Sequence, residues 1–320
     1  MDIVLSTLLS PPVLFFALGL IGSLATVEVR ISENFSKGIA LYLLAAIGLK
    51  GGIAISTEGL GGIVAAAGFG ILLSFTMPFI AYALLRRMTS FDRREASAIA
   101  AHYGSISIVT FIAASTVLEV AGVAIAAGMV AVAALMEAPA IASGLAMAGQ
   151  GRMSPTPGRD VFKVVVLNES IFLILGAMLV GLLVGDKGGQ TIAPFFFDPL
   201  QGVLCLFLLD MGLKTGDGLR RDRRVLTPGA LAFGLVMPLI GASLGLGCAQ
   251  LIGLSLGNTV LLMTLAASAS YIAVPAAMRI AMPEVNPAIY TALSLGITFP
   301  FNLIIGIPAY LLVAQHLYGG

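Results

Sequence analysis

The sequence is poor in charge, because Asp, Glu, Lys and Arg make up only 10% of its 320 residues and the net charge is +1. So small a net charge provides no positive field for a nucleic acid, and we exclude nucleic acid as a partner. Cysteine and histidine are also scarce, with two of each. Cys205 and Cys248 lie within apolar runs, at no spacing typical of zinc, haem or a disulfide, and we expect both to be packing residues.

Positive charge is missing from the N-terminus as well. The chain begins MDIVLSTLLSPP, in which Asp2 is the only charged residue. A secretory signal peptide needs a positively charged segment before its apolar region. We therefore expect the first apolar run to be retained as a membrane helix.

Apolar residues are what the chain has in excess: 58% of it is hydrophobic and the mean hydropathy is +1.03. This exceeds the range of soluble globular proteins and predicts an all-α integral membrane protein. A membrane-spanning helix needs about 20 apolar residues, and the sequence divides into ten runs of that kind. We number them 1 to 10; they cover residues 12–29, 37–55, 60–86, 95–118, 121–149, 161–185, 196–214, 228–253, 257–280 and 286–316.

The basic residues lie almost entirely on one side of this ten-run topology. Of the 17 lysines and arginines, only Lys50 and Lys187 fall on the other side. The positive-inside rule then places the loops after the odd-numbered runs in the cytoplasm. Both termini are expected outside.

Two halves of the chain share landmarks in the same order. "IGLKGGIAI" at 47–55 is matched by "MGLKTGDGL" at 211–219, and "GSIS" at 104–107 by "ASAS" at 267–270. Met77-Pro78 and Pro139 recur as Met237-Pro238 and Pro300, all at separations of 160 to 164 residues. Because each half has an odd number of spans, the second half is inverted, which is typical of secondary transporters. We predict a first five-helix repeat at 1–149, a cytoplasmic linker at 150–160 and an inverted second repeat at 161–320.

The lysines of the repeated motif, Lys50 and Lys214, are expected near helix ends. Each can extend its ammonium group to the membrane surface, or the surrounding glycines can loosen the helix into a hinge or a helix contact. Glu169 and Asp210 are expected at the interface between membrane and water.

Small and polar residues occur at mid-membrane in runs 4 and 9. Run 4 enters the membrane near Arg94 and run 9 near Gly257, and each reaches its serine-rich stretch about ten residues later, roughly 15 Å deep. If helices 4 and 9 are broken there, two helix N-termini face one cavity and attract a small anion. The alternative is ordinary close packing of small residues between helices. The predicted anion-binding residues are Gly104, Ser105, Ile106, Ser107, Ser268, Ala269 and Ser270.

Glu137 is a carboxylate inside an apolar run, two residues before Pro139. A proline kink frees a backbone carbonyl, so a carboxylate and an oxygen acceptor lie together, which suits sodium or a proton. A helix–helix hydrogen bond is the alternative. His102 has no companions for a metal site and is expected to be a packed side chain. The predicted sodium ligands are Thr110, Glu137, Ser270 and Tyr271.

The motifs "IGLKGGIAI", "YGSIS", "MEAPA" and "MGLK", with the run SASYIAVPAAMRIAMPEVNPAIY at 268–290, resemble the sodium-dependent bicarbonate transporter family known from cyanobacteria. The resemblance implies a homotrimer with a gate domain of helices 1, 2, 6 and 7 and a core domain of helices 3–5 and 8–10. The core would carry bicarbonate and sodium, the coupling ion, by an elevator movement, with no other cofactor. The resemblance also implies a bacterial inner (plasma) membrane location and a cytoplasmic PII-like regulator.

The chain departs from the cyanobacterial pattern, which has aspartate at the positions of Tyr271 and Glu137 and a longer linker. The first interpretation is a sodium-coupled importer of bicarbonate or a similar small anion. A sodium/proton or sodium/organic-acid transporter is the second and would depend more on Glu137 than on the serines. An intramembrane enzyme or sensor is third, because no paired nucleophile and base or metal cluster lies within the runs. We therefore predict that the protein is not an enzyme.

Overall fold

A computed structural model describes residues 9–29, 31–59, 63–148, 169–221, 226–271, 274–275, 278–279 and 282–319. Within these ranges all regular structure is helical, and no strand occurs. We number the helices α1 to α11 in chain order. They are α1 Pro11–Leu24, α2 Glu33–Glu58, α3 Ile63–Met88, α4 Arg93–His102, α5 Ile108–Val120, α6 Met129–Ala148, α7 Glu169–Phe196, α8 Leu200–Arg221, α9 Pro228–Leu251, α10 Leu256–Ala267 and α11 Pro287–Tyr318.

Five of these helices, α2, α3, α7, α9 and α11, are long and apolar enough to cross a membrane. Shorter apolar helices of 10 to 17 residues include α1, α5 and α10. Large apolar side chains are exposed along the long helices, as on α7, where Phe172 is 70% and Leu183 is 76% exposed. Such a surface suits lipid rather than water. The chain is a multi-pass, all-α membrane protein.

Several helix bounds differ from the predicted runs. Run 4 contains two helices, α4 and α5, and the described helix of run 9, α10, ends at Ala267. Run 5 becomes helical only at Met129, because the chain first turns through Gly122, whose φ is +67°. Helix α7 continues beyond run 6 through a kink at Gly185, where φ is +57°. The predicted linker 150–160 and the start of run 6 lie outside the described residues.

Lys50 and Lys214 lie near helix ends, about two turns before Glu58, the last residue of α2, and Arg221, the last residue of α8. Asp210 is 2% exposed, and its Oδ2 accepts a hydrogen bond from Lys214 Nζ at 2.7 Å. Asp210 is thus buried by protein, and the one-turn ion pair with Lys214 explains why a buried carboxylate is tolerated there. Glu169 is exposed and pairs with Lys37 at 2.8 Å, as an interfacial residue can.

Helix α2 packs along α7, and α1 packs along α8. Glycine allows each pair to approach backbone to backbone: a Cβ added at Gly52 would collide with the backbone of Met178 and Leu182 in α7. Gly212 of α8 makes the same kind of approach to Phe16 and Leu20 in α1. The partner helices contribute glycines to the same crossings: Gly181 of α7 approaches Leu49 and Ile53, and Gly19 of α1 approaches Leu209 and Leu213. Close glycine crossings of this kind are a common mode of helix packing in membranes.

The sequence match between the two halves is also a match of contacts. The aligned GLK motifs pair Gly48 with Gly212. A Cβ added at Gly48 would come within 2.5 Å of Ile174 O and 3.2 Å of Met178 N, just as one at Gly212 would meet Phe16 O and Leu20 N. Each glycine thus approaches a carbonyl and the amide four residues later in its partner helix.

The remaining helices pack into a second group, in which α3 contacts α4, α6 and α9, and α10 contacts α5, α9 and α11. Four of these helices contain an internal proline that removes a backbone donor: Pro78 in α3, Pro139 in α6, Pro238 in α9, and Pro300 and Pro308 in α11. Helix α11 widens into π-helical turns at Ser294–Thr298 and Asn302–Gly306, on both sides of Pro300. Such turns free backbone groups and side chains for contacts outside the helix.

Candidate functional site

Helix α4 ends at His102, and a buried, non-helical connection of residues 103–107 leads into α5. We call it the α4–α5 connection. Gly104 is required in it, because an added Cβ would come within 2.6 Å of Ser74 O and collide with the Pro78 ring. Ser107 is the N-cap of α5, and its Oγ accepts a hydrogen bond from Thr110 N at 3.2 Å. Glycine followed by a capping serine therefore ends one helix and begins the next.

The second candidate stretch follows α10, whose last residue is Ala267. We call residues 268–271 the post-α10 segment; its Ser268 has an extended backbone with φ −82° and ψ 164°. Asn302, in a π-helical turn of α11, donates from Nδ2 to Ala267 O at 2.8 Å. This bond satisfies one of the terminal carbonyl groups that a helix end leaves unpaired.

The α4–α5 connection and the post-α10 segment are in direct contact. Ser107 N donates to Ser268 Oγ at 2.9 Å, and Ser270 N donates to His102 O at 2.8 Å. Ser268 Oγ in turn donates to Leu265 O at 2.8 Å. The serine-rich stretches of runs 4 and 9 thus meet, and each satisfies a backbone group of the other.

Among the buried polar atoms without a hydrogen-bond partner in the described part of the structure, three belong to fully buried residues at this meeting point: Ser105 Oγ, Ser270 Oγ and His102 Nε2. All three residues are at most 1% exposed. An unpaired buried polar group costs about 1 to 3 kcal/mol. Folded proteins rarely keep several together without a role, so this concentration favours a ligand over plain packing.

His102 is packed as predicted, with its ring 4.4 Å from the Tyr290 ring in a stacked arrangement. Its Nδ1 lies 2.7 Å from Ala98 O. A carbonyl oxygen only accepts, so Nδ1 carries the proton and Nε2 of the neutral ring is an acceptor. His102 was not among the predicted site residues, because a single histidine gave no metal-ligand pattern. Among the described residues no group of three or more His, Cys, Asp or Glu could hold a metal ion.

A cavity of about 10 Å³ lies beside the two segments. That volume accommodates about one water-sized sphere, so it suits a bare cation or a water, and an anion of several atoms needs it to widen. Five of the predicted residues line it: Ile106, Ser107, Glu137, Ser270 and Tyr271. The other three lining residues are Leu44, Ile108 and Ser170.

The other predicted residues lie around the cavity without lining it. Gly104 packs on Pro78, and Ser268 uses its hydroxyl to bind Ser107 and Leu265. Ala269 is 3% exposed and belongs to the apolar core. The predicted residues not in the lining are Gly104, Ser105, Thr110, Ser268 and Ala269.

Sequence reasoning missed Leu44 of α2, Ser170 of α7 and Ile108. The first two come from the helix group that packs through glycines, and no local pattern marks them. Ile108 could have been found, because Ser107 is a recognisable N-cap. The N–H groups of Ile108 and Val109 belong to the first turn of α5 and have no acceptor in their own helix.

Glu137 is 5% exposed and lines the same small cavity. Its carboxylate has no hydrogen-bond or ion-pair partner among the described residues, so the predicted helix–helix hydrogen bond is not observed there. Pro139 follows within α6 and cannot donate to the carbonyl four residues earlier, that of Leu135. An unpaired carboxylate in this setting requires a cation or a proton to neutralise it.

Comparison with known proteins supplies a family. A search of curated proteins finds no match. The family model of the Na+-dependent bicarbonate transporter superfamily matches residues 11–315. That description gives sodium and bicarbonate as the ions concerned and indicates a transporter rather than an enzyme. With nearly its whole length matched, the chain belongs to the Na+-dependent bicarbonate transporter superfamily.

Proposed function

We propose that the protein imports bicarbonate, or a similar small anion, together with sodium, and binds both where the α4–α5 connection meets the post-α10 segment. The observation that carries this proposal is the cross-bonding of the two segments beside unpaired buried polar atoms. Ser107 and Ser270 tie the segments together, while Ser105 Oγ and Ser270 Oγ lack partners. Packing alone gives no reason to leave those hydroxyls unpaired in a membrane.

The anion is assigned to the N-terminus of α5. We assign four donors to it. The hydroxyls of Ser105 and Ser270 belong to the predicted sets 104–107 and 268–270, and the N–H groups of Ile108 and Val109 lie outside those sets. A helix N-terminus carries partial positive charge and binds anions without a basic side chain. No Lys or Arg is among the described residues that line the small cavity, which favours binding weak enough for release.

Sodium is assigned to Glu137 with Thr110, Ser270 and Tyr271. The carboxylate of Glu137 supplies the charge, and hydroxyl and backbone oxygens complete the oxygen ligands that a hard cation prefers. A proton could neutralise Glu137 instead, and this is the basis of the alternative, a sodium/proton or sodium/organic-acid transporter. The unpaired state of Glu137 is the observation that keeps the alternative open.

The proposed architecture is ten spans in two inverted repeats, 1–149 and 161–320, joined by the linker 150–160. Helices α4 and α5 have 10 and 13 residues, each about half of a span, so we assign both to one broken helix 4. Helix α10, with 12 residues, is likewise assigned to half of a broken helix 9. The matching glycine crossings of α2 on α7 and α8 on α1 support the repeat. The bias of basic residues favours outer termini in a bacterial inner membrane.

Transport is proposed to follow an elevator movement. The gate domain is α1, α2, α7 and α8, and the core domain is α3–α6 and α9–α11. The small cavity lies between them, because Leu44 and Ser170 come from the gate and Ser107, Glu137 and Ser270 from the core. Sliding the core along the gate would widen the cavity towards one side at a time. We also propose that the protein is a homotrimer and binds a cytoplasmic PII-like regulator.

The test is uptake by purified protein in sealed proteoliposomes. We expect labelled bicarbonate to accumulate under an inward sodium gradient and not under an equal potassium gradient. Labelled acetate and a pH-sensitive dye inside the vesicles serve as the matched assays for the alternative. Sodium-driven acetate uptake or proton efflux, without bicarbonate uptake, would replace the proposed function with the alternative.

A further inference from the structure

A second, much larger cavity of about 610 Å³ lies between the gate helices and the outer parts of α5 and α6. Its walls come from α2, from the end of α5 and the following loop, and from the α7–α8 connection with the first turns of α8. In the proposed orientation these loops face the outside, so this cavity opens to the exterior. We call it the outer cavity.

The outer cavity leads towards the proposed ion site. On α5, Ile108 lines the small cavity, and Phe111 and Ile112, one turn later, line the outer cavity. On α2, Leu44 lines the small cavity and Ile47 lines the outer one. Two helices therefore pass from one cavity to the other in the same direction.

Three charged residues line the outer cavity: Lys50, Glu119 and Asp198. Glu119 is the penultimate residue of α5, and Asp198 lies in the α7–α8 connection, so both carboxylates are at the outer rim. Lys50 lies eight residues before the end of α2, about 12 Å deeper. The negative charges are at the mouth and the positive charge is inside.

Lys50 is also close to the proposed site along its own helix. It follows Leu44 by six residues, which corresponds to about 9 Å of helix rise. That distance is near the screening length at physiological salt, and screening inside a protein cavity is weaker. In the described residues Lys50 forms no ion pair, so its charge is not cancelled by a neighbour.

We propose that Lys50 is an anion-positioning residue of the outer cavity: its ammonium group attracts bicarbonate and holds it transiently on the way to the N-terminus of α5. Clefts with charge on low-dielectric walls raise the local concentration of the opposite ion. The rim carboxylates of Glu119 and Asp198 attract sodium in the same way and repel the anion. This inference rests on the proposed function and on the proposed orientation in the membrane. It gives Lys50 a role in transport, whereas extension of its ammonium group to the membrane surface would give it none.

The test compares two lysines on the proposed outer face. Lys50→Gln should raise the KM for bicarbonate by up to about tenfold, the lower end of what charged clefts contribute, with little change in maximal rate. Lys50→Arg should keep the KM near that of the unchanged protein. Lys187→Gln is the matched control, because Lys187 is exposed on α7 and does not line the outer cavity; its KM should not change.

Opposite charges should give opposite effects. Glu119→Gln should lower the KM for bicarbonate, and added salt should raise the KM of the unchanged protein but not that of Lys50→Gln. A structural role for Lys50 predicts neither the inverted sign nor the salt dependence. Unchanged KM in Lys50→Gln, or an equal rise in Glu119→Gln, would overturn the inference while leaving bicarbonate transport established. Absence of sodium-driven uptake by the unchanged protein would instead overturn the proposed function.

Discussion

Two regions of the molecule are rich in small residues and use them differently. We call the glycine contacts of α2 with α7 and of α8 with α1 the gate crossings. There, Gly52 and Gly212 allow helix backbones to touch, and the partner helix fills the space that a side chain would occupy. At the proposed ion site, Ser107 and Ser270 line a small cavity, and the hydroxyls of Ser105 and Ser270 have no partner among the described residues. The comparison distinguishes small residues that serve close packing from those that are candidates for binding a ligand, which lie where the packing leaves polar atoms without partners.

The largest effect is expected at the gate crossings. Gly52→Leu and Gly212→Leu each force a branched side chain against the backbone of the partner helix, which neither a rotamer change nor a side-chain shift can relieve. Overpacking of this severity costs at least about 3 kcal/mol. We expect no folded oligomer on a sizing column in detergent, and no uptake.

Each of these variants has a control in its own helix. A Cβ added at Gly38 in α2 or at Gly202 in α8 meets nothing within 4 Å. Gly38→Leu and Gly202→Leu should therefore assemble and transport normally. If Gly52→Leu elutes with the same profile and unfolds at the same temperature as Gly38→Leu, the α2–α7 crossing does not have the described geometry.

The second-largest effect is expected for a substitution in the post-α10 segment, which tests binding separately from folding. Ala269→Leu places a branched side chain in the core beside Ser270, whose hydroxyl we assign to the anion. Uptake should vanish while the oligomer persists on the sizing column, with an unfolding temperature lowered by overpacking that costs about 1 to 3 kcal/mol. A packing contact predicts misassembly together with lost transport. Normal uptake by well-folded Ala269→Leu protein would remove the anion site from this segment.

Glu137→Gln should weaken sodium activation much more than anion binding at saturating sodium. The amide keeps the shape of the side chain and removes its charge, and interactions with a charged group are worth about 1.5 to 3 kcal/mol. The sodium concentration for half-maximal uptake should therefore rise by about ten- to a hundredfold. A sodium titration that is unchanged in this variant would return Glu137 to a packing role.

The all-helical membrane fold and several helix ends could be predicted from the sequence, because they depend on composition and on capping residues next to one another in the chain. The helix interruptions at Gly104 and Ser268 follow from small, turn-forming residues, and the family match supports the transporter interpretation. The close approaches of Gly52 to α7 and of Gly212 to α1 could not be predicted, since they depend on where two backbones fit. Leu44 and Ser170 were missed for the same reason: they reach the site only through the packing of α2 and α7.

The smallest effect contrasts two serines of one segment. Ser268 Oγ accepts from Ser107 N and donates to Leu265 O, whereas Ser270 Oγ has no partner among the described residues. Ser268→Ala removes hydrogen bonds and should lower the unfolding temperature. Ser270→Ala removes an unpaired polar atom, so stability should stay equal or rise.

If the Ser270 hydroxyl binds the anion, Ser270→Ala should nevertheless weaken bicarbonate binding by about 0.5 to 1.5 kcal/mol, the net value of one hydrogen bond, or about two- to tenfold. Ser107→Ala should likewise retain partial uptake, because α5 keeps its backbone donors when its cap is lost. Thermal unfolding and the KM for bicarbonate, measured on the same preparations, separate the two contributions. A Ser270→Ala protein that is more stable and binds bicarbonate as tightly as before would show that this hydroxyl is unpaired for a reason other than the anion.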